Sequence, residues 1–144
     1  MRILIYLIFF TIIFSSCQQA GGPQAKLIWK PYSKQAVLDS ISQKKPVVID
    51  FFAEWCPTCH ELDNTVFSKP EIQAQLAKVT ALRMDVTNMD TSDVQKIIQG
   101  YDVEGVPTVI FLDSRGQEIN NSRVVGLVTP QEFSQVLALL NIFK

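Results

Sequence analysis

Cys56-Pro57-Thr58-Cys59 is the part of this chain best suited to covalent chemistry. Two thiols stand three residues apart, directly after the apolar run Val47-Val-Ile-Asp-Phe-Phe52 and at the head of a segment with helical spacing. A cysteine at a helix N-terminus meets unpaired backbone N–H groups and the positive end of the helix dipole, and both favour its thiolate. Residues three apart on a helix are neighbours, so a second thiol one turn further in can form and reopen a disulfide with little backbone movement. Pro57 suits the first turn, where its missing N–H costs nothing. The chemistry on offer is thiol–disulfide exchange. An inert structural bridge fits less well, because closing so small a loop restricts the unfolded chain little.

Two acids flank this pair. Asp50 lies inside the buried run, where a carboxylate is costly unless paired, hydrated or protonated, and a proton-transfer role fits it better than a solvent-facing strand end. Asp63 follows Cys59 by four residues, where a surface acid would be equally ordinary. Trp55 reads as a rim to the site and His60 as a solvated helix residue.

These side chains need elements to hold them. Leu27-Ile-Trp29 is a short strand candidate, and Ser33 caps a helix whose inner face is Ala36, Val37, Leu38 and Ile41. Val47 to Phe52 has the β-branched and aromatic composition of a central strand. Helical spacing runs through Leu62, Val66 and Phe67, and Ser68-Lys-Pro-Glu71 predicts a capping box opening a second short helix to about Lys78. Val79 to Val86 is a strand, Thr91 or Ser92 caps a helix over Val94, Ile97 and Ile98, and Gly100 suits its stop. Val106 to Leu112 and a segment ending at Val125-Gly126 form a hairpin, and Thr129-Pro-Gln-Glu132 is a capping box for a last helix carrying Phe133, Val136, Leu137 and Leu140. The order β-α-β-α-α-β-α-β-β-α is that of an α/β sandwich.

Val48-Ile-Asp-Phe-Phe-Ala-Glu-Trp-Cys-Pro-Thr-Cys59, Gly105-Val-Pro-Thr108 and Val125-Gly126 together resemble, in order and spacing, the three signatures of the thioredoxin family. The resemblance covers roughly residues 30 to 140. Within the family the chain is most similar to the C-terminal thioredoxin-like domain of the thiol:disulfide interchange protein DsbD. Asp63, Thr65-Val-Phe-Ser-Lys-Pro70 and the Asp85 to Asn88 stretch carry that likeness. It implies a thioredoxin fold, a central mixed sheet with helices on both faces. It also implies roles: Cys56 as the exposed nucleophile, Cys59 as the buried resolving thiol, and Asp50 and Asp63 as acids behind them. Pro107 would be a cis-proline facing the pair, with Trp55 and the Val106 backbone contacting the partner. The chain departs from the pattern at His60, where lysine is common. It departs again at Ala81, where thioredoxins carry a lysine four residues before the aspartate matched by Asp85.

Cys56-x-x-Cys59-His60 is also the attachment motif of c-type haem. That reading needs a second axial ligand, for which Met84 and Met89 are the nearby candidates beside the chain's one histidine. It leaves the upstream strand with its aspartate, Trp55 and Val106-Pro-Thr108 without a purpose. Two thiols and one imidazole leave a closed zinc site short of a ligand. No cofactor or metal is expected, and a c-type haem electron carrier or a redox-inert binding module stays as the alternative of another class.

Arg2 followed by the uncharged run Ile3 to Phe14 and then Ser15-Ser-Cys17 has the layout of an export signal, and the run falls short of the ~20 residues that span a bilayer. Residues 1–16 are therefore expected to be a signal peptide, and Phe14-Ser-Ser-Cys17 resembles a bacterial lipobox. Residues 17–25 would be a polar tether from an acylated Cys17, and 26–144 the thioredoxin-like domain. Acylation would account for an odd cysteine in an exported chain. Loss of Arg2 takes the formal charge from −1 to −2, which leaves nothing basic to attract nucleic acid. With 47% hydrophobic and 19% charged residues, disorder is excluded.

The expectation is a monomeric periplasmic lipoprotein that reduces oxidised exported proteins, because carboxylates behind the cysteines disfavour their thiolates. The resemblance covers none of the transmembrane electron-passing segment of DsbD, so a separate membrane thiol donor is expected. An oxidase or isomerase role is the runner-up.

Overall fold

A computed structural model describes residues 29–142. The expected signal, the Cys17 anchor and the tether lie outside the described residues. Five strands make one mixed sheet: β1 (Lys30–Pro31), β2 (Val47–Phe52), β3 (Thr80–Asp85), β4 (Thr108–Leu112) and β5 (Val124–Val125), in the order β1-β3-β2-β4-β5. The first three are mutually parallel, whereas β4 runs antiparallel to β2 and to β5. Helices α1 (Lys34–Ser42), α2 (Pro57–Leu62), α3 (Pro70–Leu76), α4 (Ser92–Gly100) and α5 (Pro130–Ile142) cover both faces, as expected of the fold.

Alternation along the central strands builds two cores. Val48, Val109 and Phe111 face Leu62 at the end of α2, Phe67 in the turn after it, and α3 and α5 through Leu76, Phe133 and Leu137. Val47, Ile49, Phe51, Ile110 and Leu112 face α1 and α4 on the other side. The first core is aromatic: Phe67 meets Trp29 at 5.1 Å and Phe133 at 5.2 Å between ring centroids, both edge to face. Each ring buried in this way contributes roughly 1.5–3 kcal/mol.

Local signals succeed where a side chain has no better partner. Ser33 caps α1 by accepting the Ala36 N–H, and the Thr129/Glu132 capping box forms reciprocally. The capping box at Ser68 does not form. Its hydroxyl donates back to the Asn64 carbonyl and Lys69 takes the cap position with no side-chain bond, since Ser68 still belongs to the preceding helical turn. Among the described residues the first strand is Lys30–Pro31; of the predicted Leu27–Trp29 span only Trp29 is described, and it packs on Phe67. Leu38, placed on the inner face of α1, is exposed. After α4 the left-handed residue is Asp102 (φ 51°), not Gly100, which stays helical.

Candidate active site

Strand β2 delivers the chain to the cysteines through a tight turn in which the Cys56 N–H bonds the Ala53 carbonyl at 3.1 Å. Cys56 is the cap of α2. Its backbone is extended, Pro57 opens the helix, and its Sγ accepts the Cys59 N–H at 3.1 Å. Cys56 and Cys59 form a disulfide, their Cα atoms 5.3 Å apart. Once the bond opens, the same N–H is placed to stabilise a Cys56 thiolate. The expected contrast between an exposed and a buried cysteine is not seen in this oxidised form, where each is 4% accessible. The Cys56 sulfur is turned inward, tied to its partner and to the helix N–H.

The rim is latched from two sides. Trp55 is 56% exposed, its ring N–H bonds the Thr87 carbonyl at 3.1 Å, and the Thr87 hydroxyl receives the Glu54 N–H. His60, expected as a solvated helix residue, is exposed but has its Nε2 2.8 Å from the Glu54 carbonyl oxygen. That contact occupies the nitrogen that the haem reading needs for an axial bond. Val106 packs against the apolar cluster that contains both cysteines, and the Val106–Pro107 peptide is cis. Gly126 donates to the Pro107 carbonyl at 2.9 Å from a left-handed backbone (φ +76°). On either side of it Val125 and Leu127 are exposed, so an apolar surface lies beside the Pro107 segment. An added Cβ at Gly126 would meet nothing within 4 Å, so Gly126→Ala costs only its backbone strain. We expect about 1–2 kcal/mol lower stability in urea unfolding. A cost near zero would mean that the Pro107 segment tolerates another turn.

Strands β2 and β3 carry a second cluster that sequence reasoning assembled only in part. Asp50 is buried at 1% accessibility, yet it is not alone. Its register partner on β3 is Arg83, whose Nε and Nη2 contact Asp50 Oδ2 at 2.8 and 2.7 Å. Nη1 and Nη2 of the same guanidinium take both oxygens of Asp63. Burial raises the Asp50 pKa from its ordinary 3.8 to about 6; the Arg83 charge and hydrogen bond oppose the rise and the Asp63 charge adds to it. Burial works against the charged form of Arg83 too, but its bonds and attraction to the two carboxylates leave its pKa raised. The absent lysine at Ala81 thus has a counterpart two residues along, on the same face of the strand. Alternation from Ala81 was the signal available in the sequence.

Asp63 reaches Arg83 from a position one turn past Cys59, to whose carbonyl its own N–H bonds. Residues Asp63–Phe67 form a π-helical turn, with the Ser68 N–H closing on the Asp63 carbonyl at 2.9 Å. The sequence reading continued an ordinary helix here. Thr65 and Ser68 hydroxyls bonding back to Glu61 and Asn64 carbonyls are the local feature that loosens it.

A thioredoxin-like domain family matches residues 33–141. The DsbD thiol:disulfide interchange protein of Photorhabdus laumondii is 38% identical over 93 residues, 65% of this chain and 16% of that protein. The DsbD of Haemophilus ducreyi is 30% identical over 149 residues, 90% of this chain and 25% of that protein. The chain thus spans a quarter or less of these relatives. Among solved structures, the reduced C-terminal domain of Neisseria meningitidis DsbD superposes with a TM-score of 0.64 at 25% identity, covering 77% of this chain and 93% of that one. A thioredoxin from Thermus thermophilus gives 0.66 at 26% identity, covering 82% and 89%.

Proposed function

Since the chain belongs to the thioredoxin-like domain family and is related to DsbD, we propose that it is an exported thiol:disulfide oxidoreductase that reduces disulfides of other exported proteins. The observation that carries the reading is Cys56 as helix cap, disulfide-bonded to Cys59 one turn inside and flanked by an exposed Trp55 and the Val106–Pro107 segment.

In the reduced chain the Cys56 thiolate attacks one sulfur of a substrate disulfide. An S–S bond forms between Cys56 and the substrate, and the other substrate sulfur leaves as a thiolate. Cys59 then gives up its proton, attacks the Cys56 sulfur and releases the second substrate thiolate, which regenerates the Cys56–Cys59 disulfide. Two electrons pass to the substrate, whose two thiolates take up the Cys59 proton, relayed through Asp50, and one proton from solvent, the one released when the Cys56 thiolate formed. Asp50 is the proton acceptor for Cys59 in this scheme, because a carboxylate titrating at about 6 is ionised near neutral pH yet binds a proton readily. A membrane dithiol donor returns the electrons.

The two carboxylates carry the argument for direction, moderated by Arg83: with both ionised the cluster keeps one net negative charge, which disfavours thiolates nearby. The exposed Trp55, Val125 and Leu127 give an extended partner segment an apolar surface beside the sulfurs. The reduced protein is expected to reduce insulin well above the uncatalysed rate, and Cys56→Ala is expected to fall to background with the fold intact. Equal rates for the two proteins would remove the reading.

Anchoring is a separate part of the proposal. A short apolar run, two serines before Cys17 and a polar glycine-containing stretch to residue 25 fit an acylated, periplasm-facing lipoprotein. Mass spectrometry of the mature N-terminus is expected to find diacyl or triacyl Cys17 in the membrane fraction. An unmodified Cys17 in the soluble fraction would refute the anchor and leave the exchange chemistry standing.

A further inference from the structure

Arg83 is flanked by groups that favour its charge. Beyond its contacts to Asp50 and Asp63, its guanidinium carbon lies 4.6 Å from the ring centroid of Phe52, 5.0 Å from Trp29 and 5.9 Å from Phe67. Both Arg83 contacts fall on Asp50 Oδ2, whereas Oδ1 is buried with no hydrogen-bond partner among the described residues. One oxygen of the carboxylate is therefore held and the other is left to take a proton. The two oxygens of Asp63 are both committed to the guanidinium.

Resting on the exchange reaction proposed above, we infer that Arg83 is a positioning residue of that reaction: it keeps Asp50 ionised and oriented as proton acceptor, while Asp63 acts through Arg83 as its anchor. A lysine, a point charge on a flexible stem, could not bridge the two carboxylates in one plane as the guanidinium fork does. Asp63 enters this bridge from the first position of the π-helical turn. The other strands add no charge at this point: the β1 partner of Arg83 is Pro31 and the β4 partner of Asp50 is Val109. The charges acting on Asp50 are those of Arg83 and Asp63.

The inference gives opposite signs for two substitutions. Arg83→Gln removes the positive neighbour, so the rising limb of the rate–pH profile should move up by roughly one to three pH units, the size of an opposite-charge effect. Asp63→Asn removes a negative neighbour, so the limb should move down. Arg83→Lys, which retains the charge, should hold the limb near its original place. The same midpoint is read without activity, by following urea stability against pH in each variant with and without Asp50→Asn. Movement of that midpoint up in Arg83→Gln and down in Asp63→Asn supports the inference. An unmoved midpoint in Arg83→Gln overturns it. So does Asp63→Asn turnover that is slowed at every pH with the midpoint unmoved, since Asp63 would then be handling the proton itself. If Arg83→Gln does not fold, Asp63→Asn and Arg83→Lys decide by the same criteria. A wild-type chain that reduces no disulfide would defeat the functional reading, and the stability midpoints would still report whether Arg83 controls Asp50.

Discussion

Cys59→Ala is expected to turn a catalyst into a trap. With the resolving thiol gone, Cys56 still attacks a substrate disulfide, but nothing inside the protein displaces the substrate from the mixed disulfide. Turnover should fall to background while a covalent complex through Cys56 accumulates in proportion to the enzyme added, visible on a non-reducing gel and lost on adding reductant. The geometry makes the assignment directional: Cys56 is the helix cap with its sulfur on the Cys59 N–H, and Cys59 sits inside the helix. Complexes that form through Cys59 in Cys56→Ala, and not through Cys56 in Cys59→Ala, would reverse the two roles.

Asp50→Asn is expected to affect rate and stability in opposite senses. In the proposed role of proton acceptor for Cys59, Asp50 should contribute on the order of 10²-fold to turnover near neutral pH, the lower end for positioned acid–base groups. For stability the sign follows from the pKa. Asp50 titrates at about 6 in the folded chain against an ordinary 3.8, so its contribution to stability is fully present below the lower value and is lost as pH rises through the upper one. Two pH units correspond to about 3 kcal/mol, an order-of-magnitude figure for a carboxylate as buried as this. Asn is neutral at every pH and can still accept from Arg83. The variant should therefore be the more stable protein at about pH 8, with the difference shrinking towards about pH 4. Urea unfolding of both proteins across that range checks it. A variant that is less stable at the higher pH would mean that the Arg83 ion pair outweighs the burial of the charge, as a broken buried pair can.

The sequence disclosed what depends on local pattern and covalent spacing. Val47 to Phe52 could hardly be anything but a central strand, and the cysteines after it could hardly be far apart in space. The cis Val106–Pro107 peptide and the mixed sheet followed from resemblance rather than from propensity. What escaped depends on which groups the fold brings together. Arg83 carries no motif; it matters because β3 lies parallel to β2 with Arg83 opposite Asp50, and register is a tertiary property. The π-helical turn escaped because the apolar spacing of Leu62, Val66 and Phe67 is compatible with one continuous helix, and back-bonding by Thr65 and Ser68 leaves no mark in periodicity. Ser68 misled as a capping residue for the same reason, since its hydroxyl had a nearer carbonyl to bond.

The reduction potential of the Cys56–Cys59 pair tests the central claim most directly. Equilibration in a series of dithiol–disulfide buffers, followed by acid quenching and counting of free thiols, gives the value. A disulfide reductant with a net negative cluster behind its thiols should lie near thioredoxin, at about −270 mV. A value near −120 mV, that of a strong protein oxidant, would contradict the account by reversing the direction of electron flow.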